Sequence, residues 1–308
     1  MKALVMGTGG IGGYFGGLLA KAGHDVTVVA RGAHLGALQA NGLTVETTEG
    51  RAFTTPVTAL SEIGPGASVD LILVTVKSYD IDEAIETIAP GVSEDTLLLT
   101  LMNGVDSGEQ LAKRFGPERV LDGLVYIESF IKSPGVVAQV GGSRLVVFGN
   151  RNGANSQRET RFLQTFESAG WNVELSPTIL GMLWRKLSFI GPLAALNTLT
   201  GLSSAVLCSS DECLTLIHDV TSEYVAVANA DGAALPNELA DTMAERMRGF
   251  SGTTSMLRDR IGGKRLETDA MVTSVVRRGR ELGVPTPTTQ TIDRLLAPMR
   301  KGGAQRLG

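Results

Sequence analysis

Along the first hundred residues, predominantly apolar runs alternate with segments in which apolar positions recur every three to four residues. The runs are 3–6, 26–30, 69–76 and 96–101, and the periodic segments 14–22 and 79–88 lie between them. A run that stays predominantly apolar predicts a strand covered on both faces, and strands alternating with helices predict a parallel sheet with helices on either side. Residues 136–140 and 145–148, separated by Gly141, Gly142 and Ser143, predict a closing antiparallel hairpin. Beyond Trp171 the pattern turns helical, over about 178–200, 211–232, 236–249 and 267–283, with breaks at Gly201, Pro236 and Gly262-Gly263. Ser176 and Pro177 are an N-cap and N1 pair that starts the first of these helices. The expected organisation is α/β: a sheet domain over 1–173, then an all-helical domain over 174–308 with no strand of consequence.

Composition narrows this picture. A chain of 308 residues suits two domains, and 43% hydrophobic against 19% charged residues is enough apolar material to exclude broad disorder. A net charge of −4 and a pI near 5.5 argue against a nucleic-acid partner. The most basic stretch, Arg277, Arg278 and Arg280, reads as a solvated helix face. Two cysteines, Cys208 and Cys213, make no disulfide framework and fit a reducing cytoplasm. His24, His34 and His218 lack metal-ligand spacing, so no metal is expected. The apolar start breaks at Gly7, too soon for a signal peptide or a membrane span, so no membrane partner is expected either.

Chemistry enters with Gly7-Thr8-Gly9-Gly10-Ile11-Gly12, a G-x-G-x-x-G run placed directly after the first strand and opening a helix. The first glycine permits the tight turn, the second lets backbone approach a pyrophosphate, and the third lets helix and strand pack closely. The helix N-terminus adds free N–H groups and a positive dipole end. With a second strand at the right distance, these features predict a Rossmann-type dinucleotide-binding domain. An acid at the end of that second strand would accept hydrogen bonds from a ribose 2′-hydroxyl; here the strand ends Val28-Val29-Ala30-Arg31. A guanidinium there suits a 2′-phosphate, so the expected cofactor is NADP(H) rather than NAD(H).

These residues resemble the ketopantoate reductases. The likeness runs through Gly7 to Gly12, Gly23-His24-Asp25-Val26 ending in Arg31, Val74-Thr75-Val76-Lys77-Ser78 and Met102-Asn103-Gly104-Val105. It continues in Leu183-Trp184-Arg185-Lys186-Leu187, Ser255-Met256-Leu257 with Asp259, and Leu266-Glu267-Thr268-Asp269, nearly end to end and in order. The resemblance implies an active site between a Rossmann and a helical domain, a homodimer, and NADPH-dependent reduction of 2-dehydropantoate to (R)-pantoate in pantothenate biosynthesis. Lys186 matches the general acid, and Glu267 the acidic residue near lysine, substrate and nicotinamide. Asn103 matches the asparagine between cofactor and substrate, Lys77 a lysine on the cofactor side, and Ser255 a serine at the substrate's carboxylate end.

The residue types bear their own reading. Lys186 shares a helix face with Met182, Leu183 and Ile190, where it either snorkels to water or lies where a partner neutralises it. In the second case, partial burial lowers its pKa toward the range useful for proton donation. Glu267 reads equally as a first-turn glutamate favoured by the helix dipole, and Asn103 and Lys77 as residues of turns that follow strands. One departure bears on the substrate. The family carries asparagines four and eight residues after its lysine, where this chain has Ile190 and Ala194; Asn197 is out of register, and Ser204 stands where another asparagine can occur. Losing those amides weakens recognition of a hydroxylated tail and leaves open a more apolar 2-keto acid, or an NADPH sensor without catalysis. Pro192 should kink its helix.

Overall fold

In chain order the first part of the structure runs β1 (Lys2–Met6), α1 (Gly10–Lys21), β2 (Asp25–Val29), α2 (Gly32–Asn41), β3 (Leu43–Glu46), β4 (Ala52–Thr55), β5 (Thr58–Leu60), β6 (Leu71–Val74) and α3 (Ile81–Ile88). It continues with β7 (Leu97–Thr100), α4 (Ser107–Phe115), β8 (Val120–Ser133), β9 (Val136–Gly149), α5 (Gln157–Ser168) and β10 (Asn172–Leu175). The computed structural model describes residues 1–64, 66–153 and 156–303, so the last five residues of the 174–308 expectation lie outside the described residues. The chain divides into two units, Met1–Met102 with Ser107–Ile179, and Asn103–Asp106 with Leu180–Gly308.

The first unit holds a ten-stranded sheet in the order β4-β3-β9-β8-β7-β6-β1-β2-β5, with β10 beside β9. From β5 through β2, β1, β6 and β7 to β8, every neighbouring pair is parallel. The period of two along each strand splits its side chains between two cores. Val5, Val28, Leu73 and Leu99 meet Phe15 and Leu19 of α1, whereas Leu4, Ile72 and Leu98 meet Ile81, Ile85 and Ile88 of α3. Strands buried on both faces are what the predominantly apolar runs predict, and the Rossmann-type sheet is present.

The expected hairpin around Gly141–Ser143 is wrong. Residues 136–149 form one continuous strand, β9, paired antiparallel with β8, and the reversal lies at Pro134-Gly135. Tyr126 pairs with Leu145 and Glu128 with Gly141, so the glycines sit in an irregularity where β9 carries extra residues. Gly142 has φ +81°, and a Cβ there would stand 2.6 Å from the Tyr126 carbonyl oxygen. Glycine here serves a bulge, not a turn.

The second unit contains α6 (Ile179–Thr200), α7 (Ser204–Leu207), α8 (Asp211–Ala230), α9 (Leu239–Met247) and α10 (Ser255–Ile261). A π-helical turn, Asp269–Thr273, then runs into α11 (Ser274–Leu282), and α12 (Pro287–Leu296) follows. Among the described residues this unit has no strand. By length and composition α6 could cross a membrane, but 61% of its apolar window is buried, as in the central helix of a core. Pro192 lies inside it without ending it. A proline cannot donate to the carbonyl four residues earlier; that carbonyl, of Ser188, accepts instead from the Thr221 hydroxyl of α8 at 3.4 Å. Val220 and Val227 of α8 are core residues within the chain.

Candidate active site

The glycine-rich turn follows from two steric facts. Gly7 has φ +95°, and a Cβ there would lie 2.9 Å from Val76 Cγ1, so only glycine lets β1 turn beside β6. A Cβ on Gly12 would fall 2.3 Å from the Gly7 carbonyl oxygen and 2.4 Å from Thr75 Oγ1, so α1 can start this close to the strand only without one. Gly9, the N-cap of α1, has no atom within 4 Å of an added Cβ, and the first turn of α1 carries no acidic side chain. The result is an open cradle with an uncompensated positive helix end, and it fits a pyrophosphate. Thr8 is held to the Val29 carbonyl through both its N–H and its hydroxyl, at 3.3 and 2.9 Å. Ile11 is partly buried against the core.

Arg31 caps α2 at the end of β2, as the sequence places it. Its Nη2 donates to Glu83 Oε1 of α3 at 2.5 Å, and its side chain is 63% exposed. Lys77 lies just beyond β6 and caps the short 3-10 turn Ser78–Asp80. It follows Val76, the neighbour that packs on Gly7.

The second cluster belongs to the helical unit. Lys186 Nζ of α6 donates to Asn103 Oδ1 at 3.1 Å. Burial lowers the Lys186 pKa to about 8, and the nearby Glu267 carboxylate opposes that fall. Glu267 is 3% exposed and lies two residues before the π-helical turn, whose N-cap is Thr268. The structure therefore decides the choice left open for Lys186: it is no snorkelling side chain but a half-buried cation set between an amide oxygen and a carboxylate. Asn103 comes from the four-residue segment grouped with the helices, and Gly104 lets that segment lie on the π turn, because a Cβ there would be 3.0 Å from the Ala270 carbonyl oxygen. Ser255 heads α10, half-buried, and is not among the partners of Lys186.

Comparison with known proteins places this arrangement. Residues 3–153 match the family model described as ketopantoate reductase PanE/ApbA, and residues 178–300 match the model of its C-terminal part. The chain belongs to this family. It is 30% identical to a 2-dehydropantoate 2-reductase of Mesorhizobium japonicum over 99% of both chains. A PanE/ApbA family ketopantoate reductase from Ralstonia eutropha has a solved structure that superposes with a TM-score of 0.87 at 32% identity, covering 97% of this chain and 98% of that one. A D-mandelate dehydrogenase, at 22% identity and TM-score 0.87, shares the fold. The protein is thus an oxidoreductase of the ketopantoate reductase type, a class that acts with a nicotinamide cofactor on a small keto acid.

Two features of this ketopantoate reductase family member were beyond the sequence reading. The Arg277–Arg280 stretch is not wholly a solvated face: Arg278 is 5% exposed and pairs with both Asp106 and Asp231, at 2.7 and 2.8 Å. Asp231 also accepts from Trp184 Nε1 at 2.8 Å. This chain of contacts ties the segment carrying Asn103 to the helix carrying Lys186; no local motif announces a pairing between residues 172 positions apart. In addition, Asn197 does not stand in for the asparagines replaced by Ile190 and Ala194. Its amide donates to the Leu202 carbonyl at 2.8 Å and its oxygen accepts from Ser204 at 3.2 Å, so both side chains close the turn after α6. The start of α5 could have been found: Ser156 and Glu159 form a capping box, visible as S-x-x-E.

Proposed function

We propose that this protein reduces a small 2-keto acid with NADPH, 2-dehydropantoate to (R)-pantoate being the first substrate to test. The observation that carries the reading is Lys186, a cation with its pKa lowered to about 8, held by Asn103 and attended by Glu267. When bound, the reduced nicotinamide supplies a hydride to the carbonyl carbon. Lys186 stabilises negative charge building on the carbonyl oxygen and then transfers a proton to it, leaving a neutral amine that solvent reprotonates. Asn103 keeps the ammonium from swinging away, and Glu267 favours its charged form. Gly9, Gly10, Ile11 and Gly12 would receive the pyrophosphate on backbone N–H groups, with Gly7 and Thr8 shaping the turn beneath it, Arg31 would receive the 2′-phosphate and Lys77 further cofactor charge, while Ser255 would receive the substrate carboxylate. The resemblance further supports a homodimer acting in the cytoplasm in pantothenate synthesis.

A second reading has its own observation. Ile190 and Ala194 stand where amides are expected and Asn197 is committed to the α6 turn, which favours a more apolar 2-keto acid. Following NADPH absorbance with 2-dehydropantoate and a graded panel of 2-keto acids separates the two. Turnover of 2-dehydropantoate supports the first reading and turnover of apolar acids alone the second. NADPH binding without any turnover defeats both and leaves a cofactor sensor.

A further inference from the structure

His34 stands outside every motif considered above, yet it touches the phosphate-binding turn directly. It lies on α2, half-buried, with Nε2 2.9 Å from the Thr8 carbonyl oxygen and Nδ1 3.0 Å from the Gly135 nitrogen. The second contact determines which ring nitrogen carries the proton. A backbone N–H can only donate, so Nδ1 accepts, and the neutral imidazole then bears its hydrogen on Nε2 and donates it to Thr8. The Gly135 amide is itself well fixed. Gly135 makes the β8–β9 reversal at φ +79°, its carbonyl accepts from Thr44 N–H at 2.9 Å, and a Cβ on it would lie 3.1 Å from Ala37 Cβ of α2. Burial also lowers the His34 pKa, against the opposing Thr8 hydrogen bond, and so favours the neutral ring.

The Thr8 carbonyl shares a peptide plane with the Gly9 N–H. In a trans peptide these two groups point in opposite directions, and the described residues contain no cis bond. Holding the carbonyl toward His34 therefore aims the Gly9 N–H to the other side. Gly9 is the N-cap of α1 and faces open space. Val29 pins Thr8 through its N–H and hydroxyl, which leaves the tilt of the following Thr8–Gly9 plane to the contact on the Thr8 carbonyl.

We propose that His34 is a positioning residue for the cofactor's pyrophosphate: its Nε2–H tautomer, imposed by Gly135, sets the orientation of the Gly9 amide through the Thr8 carbonyl. This inference rests on the reading that a dinucleotide binds at the glycine-rich turn. Titration calorimetry with NADPH tests the two separately. If the wild-type protein fails to bind NADPH, the functional reading fails. If it binds, His34→Ala should raise Kd about three- to tenfold, the scale of one lost hydrogen bond, with the loss falling on Kd rather than on kcat. His34→Gln keeps a donor that reaches Thr8 and should recover most of the affinity. His34→Asn keeps only an acceptor for Gly135 and should not. Unchanged Kd in all three variants, or equal losses with Gln and Asn, would overturn the proposal. Should alanine prevent folding, the Gln and Asn pair carries the same comparison. The 15N spectrum of the cofactor-free wild-type protein gives an independent reading. Nε2–H with a bare Nδ1 is expected at neutral pH, and an Nδ1–H ring or an imidazolium refutes the assignment.

Discussion

In the proposed reaction Lys186 supplies the proton, and its environment then sets a pH limit. Burial lowers its pKa from 10.5 to about 8, and Glu267 acts in the opposite sense. Only the ammonium can donate, and it predominates below pH 8. For keto-acid reduction, log kcat/KM should be level below about pH 8 and fall by about one unit per pH unit above it. Glu267→Gln removes the carboxylate that favours the cation, so the alkaline limb should move to lower pH; an unmoved limb in paired pH–rate profiles would remove Glu267 from this role. Lys186→Ala should lower kcat by about 10²- to 10⁴-fold while NADPH binding stays near wild type, as stopped-flow turnover and calorimetry can show. At the other cluster, Arg31 is engaged by Glu83 at 2.5 Å on an exposed surface. A 2′-phosphate must compete with that carboxylate, so Glu83→Gln should tighten NADPH binding by a few-fold, the modest scale of an exposed pair, and leave NADH binding unchanged. Equal effects on the two cofactors would argue against Arg31 as the phosphate ligand.

Elements are held in register by contacts that no single helix or strand could supply. Arg278 of α11 joins Asp106, the last residue of the Asn103 segment, to Asp231 at the end of α8, and Asp231 holds Trp184 of α6. Without Arg278, Asp106 keeps its bond to Arg277 at 2.7 Å, but the buried Asp231 loses its cation, at a cost of about 3 kcal/mol. Arg278→Ala should therefore lower urea-unfolding stability by that amount and lower kcat as well, since Asn103 is no longer fixed relative to Lys186. The α6–α8 contact is a smaller case. Thr221→Val leaves the Ser188 carbonyl, already without its helical donor because of Pro192, buried with no partner from α8. A loss of about 1–2 kcal/mol is expected, with kcat near wild type.

At the scale of the whole molecule, the acidic balance of −4 is compatible with the proposed phosphate site, because backbone N–H groups and a helix end, not net charge, make the cradle. A ligand that binds the folded chain alone stabilises it by mass action, by about 2.7 kcal/mol at a hundred times its Kd. NADPH should raise the Tm measurably, and NADH at the same concentration should raise it less. An equal rise with both would contradict the preference argued from Arg31. The long apolar helix α6 belongs to this scale too. Its sequence satisfies the length of a membrane span, yet 61% of its apolar window is buried inside the protein.

The sequence by itself determined what depends on near neighbours. Runs dominated by Val, Ile and Leu specify doubly covered strands, G-x-G-x-x-G specifies a turn only glycines can make, and the absence of an acid after Val29-Ala30 marks the cofactor preference to test. Lys186, Glu267 and Asn103 were legible as candidates because each sits where its residue type is out of place or at the end of an element. Tertiary structure decided whatever depends on partners far along the chain. Gly141-Gly142 resembles a hairpin turn locally, yet pairing with β8 makes it a bulge, since a bulge and a turn ask the same freedom of a glycine. Arg278 sits in a basic run that suggests solvent, but Asp106 and Asp231 bring their charge to it from 172 and 47 positions earlier in the chain. Whether Lys186 reached water or a carboxylate was open until Asn103 and Glu267 stood beside it, because the pKa of a buried ammonium is a property of its surroundings and not of its place in the chain.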